Sequence, residues 1–542
     1  MATHHTGGTM SNPALDQARR RTPVSLSEVA TARAAGVLIG AAVGDSLGVP
    51  YEFGSTELLP GQRPAMIGGG LGPYAPGEYS DDTQMHVCVA KVAATGADLR
   101  TPEALDAIAL NFLDWIRNGA SDRGMQTSAV LSATARSTGA PGTAMTSAAA
   151  GYARRNPRSA GNGSLMRTGI VALAHLGDVH ALAEAARAVS SLTHADPLAG
   201  DACVLWCSGI RTAVLKGSFD GVREGLALLP GERRDQWAAW LDEAESNPPR
   251  RFNPNGFVVS ALQAAWSAII RTPIPEHRPE RGSFRSQHFT HALEAAVHAG
   301  NDTDTVAAIA GMLLGARWGI GAIPLRWQQS VHGWPGLQGP DLMRLAVLTA
   351  RQGRDEYNGW PSVSRIPSTY KSGPAYRAVH PHDSGVLLGN LPLTETPQAA
   401  PVDAVVSLCR VGTDPILAGR TVEHVQVWLV DLPGANTDPD FVLDQAAREV
   451  LRLRREGKRV LIHCVAGRSR TAAVAARYSS LRTGTRPMRA LQAVHRALGG
   501  HWRLPHNPDI YQAVFRLAGG QPQPWPGHRD APRRDWNSPL NW

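Results

Sequence analysis

The chain has 542 residues, of which 18% are charged and 43% hydrophobic, and its formal net charge is +8. A chain of this length exceeds what one hydrophobic core supports, so we expect two or more domains. The composition is that of a soluble globular protein, and no apolar run is expected to span a bilayer. Five scattered cysteines argue against a disulfide framework and favour reduced thiols in a cytoplasm.

The basic balance comes mostly from arginine, which is spread along the chain. Such a balance suits either nucleic acid or small anionic substrates. The sequence has no block of Lys and Arg with interleaved aromatic residues, so nucleic acid is the less favoured partner.

The chain divides into five stretches of different texture. Residues 1–28 lack the apolar core of a secretory signal and predict a disordered leader. Residues 29–352 carry alanine-rich segments with apolar residues at helical spacing, which predicts an all-α domain. Residues 353–383 are rich in Pro and Gly and predict a linker. Residues 384–518 alternate short β-like runs with helices, which predicts an α/β domain, and residues 519–542 predict a flexible tail.

Two acidic stretches, GEYSDDTQ and GNDTDT, each stand at the start of a predicted helix. They contribute two carboxylates and one hydroxyl apiece: Ser80, Asp81, Asp82, Asp302, Asp304 and Thr305. Adjacent carboxylates repel unless a cation, a proton or a cluster of donors separates them. Either stretch alone is explained by helix capping. Together they predict that the two stretches meet and hold one or two hard divalent cations, such as Mg²⁺.

Three further features of the helical part bear on a ligand site. A small-residue helix around Gly40 and Gly44 predicts close packing near the domain centre, and it is followed by the acids Asp45 and Glu52. The glycines of SAGNGSLMRTG permit close backbone approach to a ligand, and Arg167 offers a fork for an anion.

These strings, in their order along the chain, resemble the ADP-ribosylglycohydrolase family, which includes the nitrogenase-reactivating glycohydrolase. The resemblance rests on GDSLGVPYEF, GEYSDDTQ, GNGSLMR, THADP and GNDTDT with its helix. It implies an all-α fold with two Mg²⁺ or Mn²⁺ ions in a central cleft. The implied reaction cleaves the N- or O-glycosidic bond between ADP-ribose and an acceptor, which is a protein or a small molecule.

The resemblance also assigns roles to residues. The six residues of the two acidic stretches match the family's metal ligands. Glu52 matches an acid near the ribose, and Asp122 lies where a catalytic Asp is expected, although Met125 and Gln126 depart from the pattern there. The ADP-ribose pocket would be lined by one glycine-rich string and one histidine: Gly161, Asn162, Gly163, Ser164, Met166, Arg167 and His194.

The string VLIHCVAGRSRTAAVAARY places Cys464 and Arg470 between a β-like run and a helix. In such a loop, with Gly467 inside it, backbone N–H groups form an anion-binding nest at the helix N-terminus. Arg470 would bind two phosphate oxygens, and Thr471 can donate to the sulfur of Cys464. The positive field favours a thiolate that attacks phosphorus.

This second region resembles the cysteine-dependent protein phosphatases, nearest the dual-specificity group. The resemblance implies a phosphocysteine intermediate, a phosphorylated substrate and no metal. It implies a general acid on a loop before the helix that leads to the nucleophile strand. Asp431 fits that position, with Asp438 and Asp440 as alternatives.

The sequence therefore predicts a bifunctional hydrolase of the cytoplasm, with no membrane partner. Its helical half would cleave ADP-ribose from a modified acceptor, and its α/β half would hydrolyse phosphomonoesters. The alternative is that the helical half only binds ADP-ribose or targets an active phosphatase.

Overall fold

A computed structural model of the protein describes residues 24–354, 374–395, 400–409, 411, 416–417, 419–499 and 507–521. Most of the expected leader and tail, and the core of the expected linker, lie outside these residues.

The described part from residue 24 to residue 354 is helical almost throughout, as the alanine-rich periodicity predicts. Its helices are α1 Glu28–Gly48, α2 Asp81–Ala93, α3 Pro102–Asn118, α4 Met125–Thr134, α5 Pro141–Arg155, α6 Leu165–Thr168, α7 Ile170–Ala174, α8 Val179–Ser191, α9 Pro197–Lys216, α10 Gly221–Glu224, α11 Gly231–Ser246, α12 Val258–Arg271, α13 His288–Val297, α14 Thr303–Trp318, α15 Leu325–Ser330 and α16 Gly339–Ala350. A two-stranded ribbon, β1 His332–Gly333 with β2 Leu337–Gln338, precedes the last of them.

Helices α1 and α14 pack backbone against backbone at the centre of this helical region. A Cβ atom added at Gly40 would overlap the carbonyl oxygen of Gly311, and one at Gly36 would overlap that of Gly315. The same close approach continues one turn further, where Gly44 meets Ala307. The expected close packing of the small-residue helix is confirmed. Because the two helices run antiparallel, the C-terminal end of α1 lies beside the N-terminal end of α14.

Two core helices are apolar enough to be mistaken for membrane spans. By length and composition, Glu28–Gly54 and Pro197–Lys216 pass as spans, which the sequence reading did not anticipate. Their apolar windows are 94% and 83% buried inside the protein. Their hydrophobicity is therefore accounted for by packing within the helical region.

The second region is an α/β unit built on a five-stranded sheet. Its strands are β3 Arg377–His380, β4 Asp383–Asn390, β5 Ala404–Ser407, β6 Glu423–Gln426 and β7 Val460–Cys464, and its helices are α17 Pro439–Arg455, α18 Ser469–Thr483, α19 Pro487–Ala497 and α20 Pro508–Arg516. The strand order is β3-β4-β7-β5-β6, with only β3 antiparallel to its neighbour. Strand β7 is central and fully buried. Cys464 therefore lies at the carboxyl end of the sheet's middle strand.

Two details of the sheet differ from the sequence reading. Strand β3 lies inside the stretch that was expected to be linker, where it forms a hairpin with β4, which begins three residues after β3 ends. The β-like run that was expected to reach Val430 ends as a strand at Gln426.

The two regions touch through the start of α17. The ring of Phe441 packs against Phe284 of the helical region, with centroids 5.2 Å apart. The side chain of Gln445 accepts a hydrogen bond from the backbone of Leu325 at 3.1 Å. These contacts are made by residues that are buried or partly buried, so the two regions share a packed interface.

Candidate functional site

The first site lies where the end of α1 meets the starts of α2 and α14. Asp45, which is fully buried, accepts hydrogen bonds from the backbone N–H groups of Ser80 at 2.8 Å and Thr83 at 2.9 Å. Asp45 therefore supplies the cap of α2 from another helix. Neither Ser80 nor Asp302 makes a side-chain capping bond to its own helix. The explanation of the acidic stretches as ordinary N-caps is wrong for these two residues.

The carboxylates of the two stretches converge in one cleft. The hydroxyl of Ser80 lies 3.1 Å from Asp82 and 3.3 Å from Asp304, and the hydroxyl of Thr305 lies 3.3 Å from Asp82. Two triads have carboxylate oxygens within 4.8 Å of one another: Asp45 with Asp82 and Asp304, and Glu52 with Asp302 and Asp304. The expectation that the two stretches meet is confirmed, and Asp304 is common to both triads.

These carboxylates are crowded and buried. Burial raises the pKa of Asp45 to about 6. Burial, followed by the charges of Asp302, Asp122 and Asp81, raises the pKa of Glu52 to about 9. One oxygen of Asp82 and the hydroxyl of Thr83 are buried without a hydrogen-bond partner. Among the described residues, no basic side chain pairs with these acids, and the acids form a set of oxygen donors that suits a divalent cation.

Two asparagines orient the acid at the start of α14. The amide of Asn162 donates to the Asp302 carboxylate at 2.7 Å, and the side-chain oxygen of Asn255 accepts from the Asp302 backbone at 3.0 Å. Asn162 also donates to the backbone of Asn255. The sequence reading assigned Asn162 to the ligand pocket and missed Asn255 altogether. Asp45 was noted only as a nearby acid, because its capping role depends on how α1 and α2 meet.

The glycine-rich segment Gly161–Arg167 lies partly at the cleft and partly in the core. Gly161 and Gly163 lie over the imidazole of His194, which is 3% exposed and whose pKa is lowered to about 3 by burial and by Arg167. The expected contact between His194 and a ligand stays a prediction. In this structure the ring supports the two glycines from beneath.

The remaining pocket residues of that string are buried. The hydroxyl of Ser164 is bonded to Ser190, and Met166 is 4% exposed. The guanidinium of Arg167 is fully buried, donates to Gly163 and Thr193, and stacks on a phenylalanine ring. The expectation that Arg167 offers a fork to an anion is wrong for this conformation, since protein acceptors already occupy its donors. Arg167 holds the glycine loop in place.

Asp122 lies on the loop before α4 and is half-buried. Its charge contributes, after burial, to raising the pKa of both Glu52 and Asp81. The charge of Asp122 therefore acts on the acids of the cleft, and its catalytic role stays a prediction.

The second site is the loop between β7 and α18. Cys464 is 2% exposed and pairs with Asn390 across the parallel ladder. Gly467 has φ of 66° and is pressed against Tyr376 and Gly389, so any side chain there would clash. The Tyr376 hydroxyl donates to the backbone oxygens of Ala466 at 3.1 Å and Gly467 at 2.8 Å. Tyr376, which the sequence reading missed, therefore braces the loop.

Arg470 and Asp431 both reach this loop. The Arg470 side chain donates to Leu408 at 2.9 Å and its Nε lies 3.6 Å from an Asp431 oxygen. Burial lowers the pKa of Arg470, but the neighbouring Cys464 and Asp431 outweigh burial and the net shift is upward. Asp431 also accepts from Ser469 at 2.8 Å.

Two donors of this second site are buried without a hydrogen-bond partner, namely the Nε of Arg470 and the hydroxyl of Thr471. The expected bond from Thr471 to the sulfur of Cys464 is thus not formed in this structure. Unsatisfied buried donors are unfavourable, and here both lie on the cysteine loop, where an anion could accept from them.

The alternatives for the general acid are engaged elsewhere. Asp438 accepts from Ser286 of the helical region, and Asp440 is paired with Arg516 and His277. Of the three candidates that the sequence offers, Asp431 is the one that contacts the cysteine loop.

The profile of one protein family, ADP-ribosylglycohydrolase, matches residues 27–357, which is more than half of the chain. The chain belongs to the ADP-ribosylglycohydrolase family. The match covers the helical region and its acidic cleft. It ends before the sheet of the second region begins.

Several curated proteins are similar to this part of the chain. ADP-ribosylarginine hydrolase Tri1 of Pseudomonas putida is 27% identical over 318 residues, covering 56% of this chain and 75% of the relative. ADP-ribosyl-[dinitrogen reductase] glycohydrolase of Rhodospirillum rubrum is 27% identical, covering 54% and 88%. Human ADP-ribosylhydrolase ARH3 is 27% identical, covering 55% and 89%.

Two solved structures align with separate parts of the chain. An ADP-ribosylglycohydrolase-related protein complex is 26% identical, covers 60% of this chain and 100% of its own, and has a TM-score of 0.45. Human DUSP28 is 21% identical, covers 29% and 97%, and has a TM-score of 0.23. At these TM-scores neither alignment carries weight, and the second region's chemistry has to be judged from its own residues.

The ADP-ribosylglycohydrolase family is metal-dependent. The cleft fits a metal because it gathers oxygen donors without basic side chains and leaves an Asp82 oxygen unsatisfied. The residues that would hold the ion or ions are the acids of the cleft together with the hydroxyls of Ser80 and Thr305.

Proposed function

We propose that the helical region is a metal-dependent hydrolase that releases ADP-ribose from a modified acceptor. The observation that carries this proposal is the convergence of five carboxylates from three helix ends, in a chain of the ADP-ribosylglycohydrolase family. Relatives named for ADP-ribosylarginine and for ADP-ribosylated dinitrogen reductase support an N-glycosidic acceptor bond as the first to test.

The residues of the cleft divide the work of glycoside cleavage. A divalent cation, with Mg²⁺ and Mn²⁺ as the favoured ions, would polarise the ribose hydroxyls and a water. Glu52 or Asp122 would take a proton from that water or give one to the leaving group. Buried carboxylates around the anomeric carbon would stabilise the positive charge that develops as the glycosidic bond breaks. Gly161 and Gly163 leave room for the substrate to approach the backbone.

The proposal is tested by measuring free ADP-ribose released from arginine-linked and serine-linked substrates, in Mg²⁺ and after chelation. We expect release from at least one linkage, lost on chelation and restored by Mg²⁺ or Mn²⁺. If ADP-ribose binds tightly but neither linkage is cleaved in metal-replete buffer, the helical region is instead a binding or targeting module.

We propose a second activity, phosphomonoester hydrolysis, at Cys464. The observation that favours it is the pair of buried, unsatisfied donors on Arg470 and Thr471 beside the buried cysteine. The sulfur of Cys464 would attack phosphorus, forming an S–P bond as the P–O bond to the leaving group breaks. Asp431 would give its proton to that leaving oxygen and then take one from the water that releases phosphate.

This second proposal is tested with p-nitrophenyl phosphate in the presence of a chelator, since the mechanism needs no metal. We expect turnover that is insensitive to chelation and absent from Cys464→Ser. Turnover that persists in Cys464→Ser would rule the mechanism out.

All five cysteines are buried free thiols, which supports our placing the protein in the cytoplasm without a membrane partner.

A further inference from the structure

Asp438 joins the two regions at the first turn of α17. One of its carboxylate oxygens accepts a hydrogen bond from the Phe441 backbone at 3.1 Å and so caps α17. The other oxygen accepts from the hydroxyl of Ser286, in the helical region, at 2.8 Å and from the backbone N–H of the same residue at 3.4 Å. Asp438 is 7% exposed and Ser286 is fully buried. One short bond to a buried charge therefore fixes the start of α17 against the helical region.

Neighbouring contacts strengthen this anchor. Asp440, two residues further on, pairs with His277 of the helical region at 2.8 Å and with Arg516 of α20. Phe441 packs on Phe284. The anchor thus combines two polar links and one aromatic contact within a single helical turn.

The same chain segment begins at the cysteine loop. Asp431, seven residues before Asp438, contacts Ser469 and Arg470. Between the two aspartates the loop is braced by Asn436, whose side chain donates to and accepts from the backbone of Val430 at 2.8 and 2.9 Å. A short, braced loop passes a displacement at one end on to the other. The loop is also held within its own region, where the Gly434 backbone donates to Asp509 at 2.8 Å. Asp431 is therefore held from two directions, and Asp438 supplies the one that comes from the helical region.

We propose that Ser286 is a positioning residue for the Cys464 site: by holding Asp438, it sets where Asp431 lies over the cysteine loop. The inference rests on the proposed phosphatase function. It makes leaving-group protonation at one site depend on a residue of the other region.

The test compares Ser286→Ala with Ser283→Ala in the full chain. Ser283 is a matched control because its hydroxyl bonds only the nearby backbone of Glu276 within the same segment. For Ser286→Ala we expect kcat/KM on phenyl phosphate to fall about tenfold, because a displaced Asp431 would lose part of the ~10²–10⁴ that a positioned general acid contributes. Activity on p-nitrophenyl phosphate should stay nearly unchanged, because that leaving group needs little protonation. ADP-ribose release, measured on the same samples, reports that the helical region is folded.

A double variant identifies the route of the effect. If Ser286 acts through Asp431, adding Ser286→Ala to Asp431→Asn should cause no further loss on phenyl phosphate. A loss that is equal on both esters, or that adds fully to Asp431→Asn, would overturn the proposal. His277→Ala, at a partly exposed residue of the same anchor, should shift the ester ratio in the same direction by less.

Hydrogen exchange separates failure of this inference from failure of the phosphatase proposal. Backbone amides of residues 431–437 should exchange faster in Ser286→Ala than in Ser283→Ala. If the wild-type chain hydrolyses neither ester, the phosphatase proposal fails, and exchange still decides whether Ser286 holds the loop. Equal exchange in the two variants would overturn the inference.

Discussion

The acidic cleft and the cysteine loop differ in the sign of the groups that they bury: the cleft buries carboxylates, and the loop buries hydrogen-bond donors. Among the described residues, no basic side chain pairs with the acids of the cleft, Asp45, Asp82 and Asp304. The cysteine loop instead holds the buried guanidinium of Arg470, whose Nε lies 3.6 Å from the Asp431 carboxylate without forming a hydrogen bond. Each arrangement is costly as it stands and becomes favourable when an ion of the opposite sign binds. Both arrangements are built from a helix start and a closely approaching glycine backbone, one with acids and the other with hydrogen-bond donors.

The largest effect is expected when an acid that both triads of the cleft share is removed, because only the activity of the cleft should be lost. Asp304→Asn should abolish ADP-ribose release and leave p-nitrophenyl phosphate hydrolysis unchanged. Asp81→Asn should also abolish release, although Asp81 belongs to neither triad, because the resemblance to the family makes it a metal ligand. If either variant releases ADP-ribose at the wild-type rate in metal-replete buffer, the assignment of these acids as metal ligands is wrong. The exposed Asp235→Asn serves as the control, since it lies outside both sites.

The converse change is Cys464→Ser. It should remove all phosphomonoesterase activity and leave ADP-ribose release intact, because the sulfur nucleophile belongs to the second site alone. Both activities are measured on one preparation. A fall in ADP-ribose release would indicate that the two sites are coupled through more than their shared interface.

A smaller effect is expected from the helix pair that brings the acids together. Gly40→Ala places a methyl group against the backbone of Gly311, so it should destabilise the fold by about 1–3 kcal/mol and weaken Mg²⁺ binding. Denaturant unfolding and calorimetry measure the two effects. Gly124→Ala is the matched control, because a Cβ there meets nothing within 4 Å. Equal stability of the two variants would show that α1 and α14 can separate without cost.

The smallest expected effect is a pH dependence of the stabilisation that Mg²⁺ gives to the folded protein. Asp45 and Glu52 have a higher pKa in the folded, metal-free protein, about 6 and about 9, than the ordinary values of 3.8 and 4.5. The folded state therefore holds these protons more tightly, and their contribution to stability is lost as pH rises through those folded values. Mg²⁺ should consequently raise Tm by a few degrees more at pH 8.5 than at pH 5.5. A shift independent of pH would contradict this charge-relief account.

Much of both sites could be predicted from local sequence. The acidic helix starts, the small-residue helix and the cysteine loop each carry their chemistry within a few residues, and the structure brings the acids together as expected. Asp45 and Asn255 could not be assigned, because their roles depend on helices that meet only in the folded chain. Arg167 was misread for the same reason, since an arginine in a glycine-rich string looks like an anion ligand until its burial is seen.

The second region shows the same limit. Tyr376 is distant in sequence from Gly467, so its brace on the cysteine loop left no local signal. Asp438 and Asp440 looked like alternative acids, and only the packing of α17 on the helical region reveals that both are already bonded.

The contact between Phe284 and Phe441 sets a practical limit on studying the two regions as separate fragments. In the whole chain the two side chains are 2% and 7% exposed. Fragments made by dividing the chain between residues 354 and 374 would expose both rings when they separate. They would also expose the Ser286 hydroxyl and the Asp438 carboxylate, which bond each other in the whole chain. Each fragment would then expose an apolar side chain beside a polar group that has lost its partner. Exposed apolar patches of this kind favour self-association of the fragments. Fragment studies would therefore benefit from polar replacements at both phenylalanines, and co-expression of the two pieces should recover more soluble material than either piece alone.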